Sequence, residues 1–228
     1  MPRRLIVAAL IVVLLPLGHA WATHADTSSA AIAGPARVAL ELLPTRDAQD
    51  VSDYSRSEFG RAWSDDVDTA LGHDGCDQRN GVLALRLQHL QIKPGTNGCV
   101  VLSGDLPVEP YTGQTGLRYQ RGQTPPVVSV DHVVALAAAA GTGARQLDAQ
   151  QRRNLAGDPL NLLVVSAQSN SSKADRDASR WLPAHDPCGF VARQIAVKAR
   201  YRLWVTPAER SAMNRVLDAC PAQELPTQ

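Results

Sequence analysis

The chain has 228 residues, with 23 Lys and Arg against 22 Asp and Glu for a formal net charge of +1. Near-neutrality excludes a global electrostatic pull toward a polyanion, and an aromatic content of 4% argues against a stacking platform for single-stranded nucleic acid. The length suits one domain with a sizeable core, and no internal repeat is visible.

The first residues have the form of an export signal. Arg3 and Arg4 precede the apolar run Leu5 to Leu15, and Ala20, Trp21 and Ala22 give the small-x-small pattern of a cleavage site. The run is shorter than the roughly 20 apolar residues that cross a bilayer, which disfavours an uncleaved anchor. Residues 1–22 are therefore expected to be removed near Ala22, leaving a secreted or extracytoplasmic protein without stable membrane association. Residues 23–35, rich in Ser, Ala and Gly, form a flexible leader ahead of a domain at 36–222 and a tail at 223–228. In an exported chain the four cysteines imply two disulfides, with three possible connectivities. Pairing neighbours in sequence joins Cys76 to Cys99 and Cys188 to Cys220. No pair has the C-x-x-C spacing of a zinc site.

Within the domain, Ala36 to Leu43 and Glu58 to Val67 have helical character, the latter placing Phe59 and Trp63 on one face. Gly81 to Leu90 alternates too loosely to choose between strand and helix. Turns fall at Asn97-Gly98 and at Tyr111 to Gly113. Pro125 and Pro126 introduce a β-branched strand from Val127 that ends at Asp131-His132. Gly141 to Gly143 breaks the Ala-rich segment that follows, Arg145 to Leu155 is helix-like, and Leu160 to Val165 is a second strand. Asn170 opens a helix reaching about Trp181, and Pro187 opens another through Leu203. Thr206, Pro207 and Glu209 form a capping box with Pro at the first helical position, starting a last helix that runs to about Ala219.

Three of these segments carry chemistry. Asp131-His132 ends a strand, Asn161 interrupts an apolar run, and Asn170 sits near Lys173 and Asp175. An imidazole with an ordinary pKa near ~6.5 can take a proton from water at neutral pH, while a carboxylate and an amide oxygen are hard ligands for a divalent cation. Residues 171–202 hold seven basic side chains against three acidic ones, a local excess able to meet phosphates. Each feature alone has a plainer explanation: an exposed Asp-His pair, a buried amide, a helix cap, a solvated basic face.

Strand, strand and helix bearing Asp-His, Asn and Asn resemble the HNH, or ββα-metal, nuclease family. Further similarity to exported members related to the GmrSD-type nucleases is carried by Tyr54, Arg56, Phe59, Gly60 and Trp63, by Cys76, Asp77, Arg79 and Asn80, by Tyr111 and Gly113, and by Asp158 with Asn161. It extends to Trp181, Leu182 and Pro183, and over residues 50 to 220. The bare alanines 137–140 depart from the pattern beside the motif.

The resemblance implies an α+β fold in which two antiparallel strands and a helix sit inside a mostly helical single domain. It implies a divalent-metal-dependent endonuclease, using Mg2+ or Mn2+, that hydrolyses phosphodiester bonds in nucleic acid, with DNA favoured over RNA. His132 is then the general base, Asp131 and Asn170 the metal ligands, and Asn161 the residue holding the His-bearing loop. Lys173, Arg176 and Arg121 are expected phosphate contacts, and Tyr54, Arg56, Phe59 and Trp63 are assigned to packing. A non-catalytic extracellular binding protein on the same fold, or a phosphodiesterase for small substrates, are the alternatives. One geometric condition applies: neighbours on a strand point to opposite faces, so Asp131 and His132 share a centre only if the strand ends or bulges there.

Overall fold

Helix α1, Pro35–Leu42, is the first element of the computed structural model, which describes residues 35–226. The expected signal and nearly all of the leader lie outside the described residues. Ser55 caps a single 3-10 turn at Arg56–Phe59, through a capping box with Glu58. The expected helix from Glu58 to Val67 goes no further, because Gly60 and Trp63 both adopt positive φ, at 81° and 57°. Phe59 and Trp63 consequently do not share a helix face.

Asp77 caps α2, Gln78–Arg86, by accepting a hydrogen bond from the Asn80 backbone. The ambiguous stretch from Gly81 divides into the end of this helix and a strand, β1, Gln88–Ile92. With β2, Val101–Leu106, and β3, Leu117–Gln120, it forms an antiparallel sheet in the order β1-β2-β3. This sheet has no counterpart in the sequence reading. Its strands are short, and β2 carries Ser103, Gly104 and Asp105, residue types depleted in strands.

Strand β4, Val128–His132, pairs with β5, Leu162–Ser166, in unbroken antiparallel register from Val128 opposite Ser166 to His132 opposite Leu162. Between them lie α3, Leu136–Gly141, and α4, Ala149–Gly157, the latter begun by an Asp148 capping box that splits the expected Arg145–Leu155 helix. Helix α5, Ala167–Lys173, follows β5 directly. Ser166 caps it by accepting from the Ser169 backbone, so it begins three residues before Asn170. It stops at Lys173 because Ala174 has φ 50°, well short of Trp181. The chain closes with α6, Pro187–Arg200, and α7, Pro207–Asp218, whose Thr206–Glu209 capping box is as expected.

This is an α+β domain with a strand-strand-helix unit, β4-β5-α5, at its centre. Alternation along the hairpin gives it two faces. Val128, Val130, Leu162 and Val164 pack against α2 and the three-stranded sheet, whereas Val133 and Val165 join Leu40, Phe190, Ile195 and Met213 from α1, α6 and α7. Both faces are covered, so β5 reads as a continuous apolar run. None of the described helices is long and apolar enough to cross a membrane.

Disulfides join Cys76 to Cys99 and Cys188 to Cys220, leaving no free thiol. The second ties the start of α6 to Cys220, two residues past the end of α7. Closing a loop of this size stabilises by roughly 3–4 kcal/mol through the unfolded chain. Replacing Cys188 and Cys220 together by Ser should lower the urea-unfolding free energy by about that amount, and a loss below about 1 kcal/mol would show that other contacts hold the two helices.

Candidate active site

The last two residues of β4 serve opposite faces of the hairpin. Asp131 turns toward α5, where Lys173 Nζ donates to its carboxylate at 3.1 Å and to the His132 carbonyl at 2.7 Å. Tyr111 Oη donates to the other carboxylate oxygen at 2.6 Å. Asp131 is 5% exposed and Lys173 is 0% exposed, so this is an interior ion pair. Burial raises the Asp131 pKa, and the Lys173 charge with the two hydrogen bonds pulls against it. Ser129, two residues earlier on the same face, accepts from Asn170 Nδ2 at 3.1 Å. Glu109 holds the assembly at its back: its carboxylate accepts from Tyr111 N, from Thr112 and from Ser166 N, the cap residue of α5.

His132 faces the other way. Its Nε2 lies 2.9 Å from the Ala156 carbonyl, which can only accept, so in the neutral ring Nε2 carries the proton and Nδ1 the free lone pair. The imidazole stacks on Trp63 at a centroid distance of 5.6 Å and an interplanar angle of 18°. The Arg56 guanidinium lies over the same indole, 5.8 Å from a Trp63 ring centroid. Arg56, Gly60, Arg61, Trp63, Leu136 and Ala156 line a cavity of about 10 Å3 against His132, near the minimum for one water. Burial, and then the Arg56 charge, holds the His132 pKa down at about 3. The expectation of an unperturbed imidazole is therefore corrected: only 6% of the residue meets solvent.

Asn161 fixes the segment leaving His132. Its Oδ1 accepts from Val134 N at 2.8 Å, and its Nδ2 donates to the carbonyls of Leu155 and Val134 at 3.1 and 3.3 Å. The Asn161 carbonyl accepts from Val133 N at 2.8 Å, so one residue spans the end of β4, the start of β5 and the end of α4. Asp158 turns the chain into this position, accepting from Leu160 N, Arg200 and the Tyr201 hydroxyl.

Residues 77–216 match the family model of the C-terminal domain of GmrSD restriction endonucleases. The chain belongs to that family. It is also 31% identical over 192 residues to an uncharacterized secreted protein of Arthroderma benhamiae, a match covering 82% of this chain and 86% of that one. No solved structure matches.

Against the expectations for this GmrSD C-terminal domain, the structure brings Asp131, Asn170 and Lys173 to one face of β4 and puts His132 and Asn161 on the other side of its end. The strand does stop at His132, without a bulge. Lys173, expected as a phosphate contact, is instead wholly interior. Arg121 is committed to Asn80 and the Val101 carbonyl, and Arg176, just past α5, donates to the Ser172 carbonyl of that helix. Much of the basic stretch at 171–202 is likewise engaged: Lys198 pairs with Glu209, Arg200 with Asp158, and Arg193 bonds the Leu160 carbonyl.

Trp63 and Arg56, assigned to packing, line the His132 cavity. Tyr111, expected in a turn and in the family pattern, proves to be an Asp131 partner. The signal for these residues was their place in the family pattern, not any periodicity.

The donor chemistry on the α5 face fits a hard divalent cation: a carboxylate and an amide, with the rest of the sphere left to water. Asp131 and Asn170 would hold it. Both Asp131 oxygens are engaged by Lys173 and Tyr111, so such an ion competes with an ammonium already in place. Among the described residues no three His, Cys, Asp or Glu side chains converge as a metal cluster.

Removing one partner of a buried ion pair leaves an uncompensated charge at a cost of about 3–5 kcal/mol, while replacing both by apolar groups costs far less. Lys173→Met should therefore destabilise by that amount in urea, and Lys173→Met with Asp131→Leu should recover most of it. A single variant as stable as the parent would mean the pair is solvated.

Proposed function

We propose that this protein is an exported, divalent-metal-dependent endonuclease of the HNH type that cleaves DNA, with His132 as general base. The observation that carries the proposal is the orientation of His132. Hydrogen bonding to Ala156 selects the tautomer with a free Nδ1, stacking on Trp63 fixes the ring plane, and the Asn161 clamp fixes the backbone. An imidazole held this way is a prepared base with room for a single water beside it.

In the proposed reaction, His132 Nδ1 takes a proton from water as the water oxygen attacks phosphorus. The 3′ oxygen leaves and is protonated from solvent, and the imidazolium returns its proton to solvent. A cation held by Asp131 and Asn170 would supply charge stabilisation at the phosphate oxygens and the leaving oxygen. Asn161 positions His132 and takes no part in bond making. Export is supported by the signal-like N-terminus, the two disulfides and the secreted relative.

The test is incubation of the oxidised protein with supercoiled DNA and with RNA, with Mg2+, with Mn2+ and with chelator. Nicking of DNA that stops in chelator is expected. Full activity in chelator would reject the metal ligands, cleavage of RNA alone would reject DNA as substrate, and turnover of a small phosphodiester without polymer cleavage would reject the endonuclease. His132→Ala should slow cleavage by about two to four orders of magnitude with the fold intact by circular dichroism. Near-normal cleavage by that variant would reject the base.

The acid limb of the pH-rate profile follows from burial. A base works only unprotonated, and a pKa lowered from ~6.5 to about 3 keeps His132 neutral far into acid, while burial raises the pKa of the Asp131 carboxyl proposed as a metal ligand. Cleavage should therefore show no loss centred near ~6.5, and any acid limb should be set by Asp131 before His132, measured under conditions where the protein remains folded. A midpoint near ~6.5 would show that the imidazole is solvated during turnover.

A further inference from the structure

We infer that Arg56 and Arg61, with the Trp63 ring that both Arg56 and His132 approach, form a phosphate-binding mouth over the His132 cavity. The inference deepens the His132 reading: it names the side chains that would bring a phosphodiester to that ring.

Three features support it. First, Arg56 and Arg61 both line the cavity and are exposed residues, and among the described residues neither has an acidic partner within ion-pair distance. Most other arginines around this segment are spoken for. Arg145 pairs with Glu58 and Asp53, Arg153 with Asp66, and Arg152 bonds the carbonyls of Glu58 and Leu147. Glu58 is the notable case. It is two residues from Arg56, yet its carboxylate is taken by Arg145 and by the Ser55 backbone, which leaves Arg56 without a local counter-ion.

Second, the mouth is held in shape without a ligand. The Ser55–Glu58 capping box sets the turn carrying Arg56, and Gly60 at φ 81° redirects the chain toward Arg61. A Cβ on Gly60 would lie 2.7 Å from Arg153 Cγ, so the chain passes close against α4. The Trp63 carbonyl accepts from Gln78 N at 3.2 Å, anchoring the indole to α2. Third, the chemistry is selective. Planar guanidinium groups present paired N–H donors that match phosphate oxygens, and an aromatic face orients one of them.

Lys173, Arg176 and Arg121 are engaged elsewhere, so this mouth is where the free positive charge beside His132 lies. Arg56 is thereby a substrate-contacting residue, and Arg61 a second contact nearer the rim.

Binding of inorganic phosphate to the oxidised mature protein, in metal-free buffer, is read from tryptophan emission, with Trp63→Phe identifying the responding ring. A saturable change is expected that disappears in Trp63→Phe, weakens roughly ten- to a hundredfold in Arg56→Ala and is partly restored in Arg56→Lys. Arg61→Ala should weaken it by a smaller factor. Arg46→Ala, which removes an exposed charge stacked on Trp204, should leave it unchanged. Unchanged binding in Arg56→Ala, or an equal loss in Arg46→Ala, overturns the inference by showing no site or only a diffuse charge effect. These outcomes need no cleavage, so they separate from failure of the nuclease reading, which is judged by His132→Ala. If DNA is cleaved, Arg56→Ala should raise KM at least as much as it lowers kcat, and a pure kcat defect would overturn the contact with bound substrate.

Discussion

A single interior ammonium holds the centre of this molecule together. Lys173, the last residue of α5, has no exposed surface, and its donors go to the Asp131 carboxylate and the His132 carbonyl at the end of β4. A lysine stripped of water is costly unless paired and fully bonded, so the geometry around it has little freedom. Tyr111 completes the Asp131 shell, and Glu109 ties the Tyr111 turn to the cap of α5. The helix is only seven residues long, too short to be stable alone, and this polar core explains how it sits firmly on the hairpin.

The opposite face is built on different physics. His132 is surrounded by an indole, a peptide carbonyl and apolar walls, and its backbone is fixed by the Asn161 amide. Nothing acidic supports the ring from behind. Its tautomer is chosen by a carbonyl, which orients Nε2 without adding the negative charge that would raise basicity. The consequence is a base that is well placed and weak. One hairpin end thus carries a buried ion pair on the α5 side and a buried imidazole of lowered pKa on the Trp63 side.

Much of this was legible in the sequence, for reasons that differ by element. The two central strands announce themselves through β-branched runs, and α7 through its capping box, because those signals are local. Disulfide pairing followed from neighbour order. The three-stranded sheet was invisible, since its strands are short, its two outer strands are largely exposed and the central one is interrupted by polar residues, and only pairing makes them strands. The helix expected from Glu58 failed because two positive-φ residues break it, one of them a tryptophan, which composition does not flag. The helix start at Ala167 was missed because Asn170 was taken as the cap when Ser166 performs that role. For the site, the environments were the illegible part: the burial of Lys173 and His132 and the engagement of Arg121 are tertiary facts, and no spacing rule supplies them.

The weakness of His132 as a base gives the Arg56 charge a double consequence. In the protein without substrate, that guanidinium adds to burial in disfavouring the imidazolium, and Brønsted behaviour makes a base of such low pKa a poor proton acceptor at neutral pH. A phosphate bound at the same guanidinium contributes negative charge beside the ring, opposing the Arg56 field where the proton must arrive. Under the proposed reading, the ring would be least basic with the mouth empty and more basic with a phosphate bound. A carboxylate partner on Nε2 would raise basicity permanently, at the cost of a further buried charge beside a pocket meant for an anion. The neutral Ala156 carbonyl avoids that repulsion, and with only about 10 Å3 of room there is space for little beyond the water to be activated.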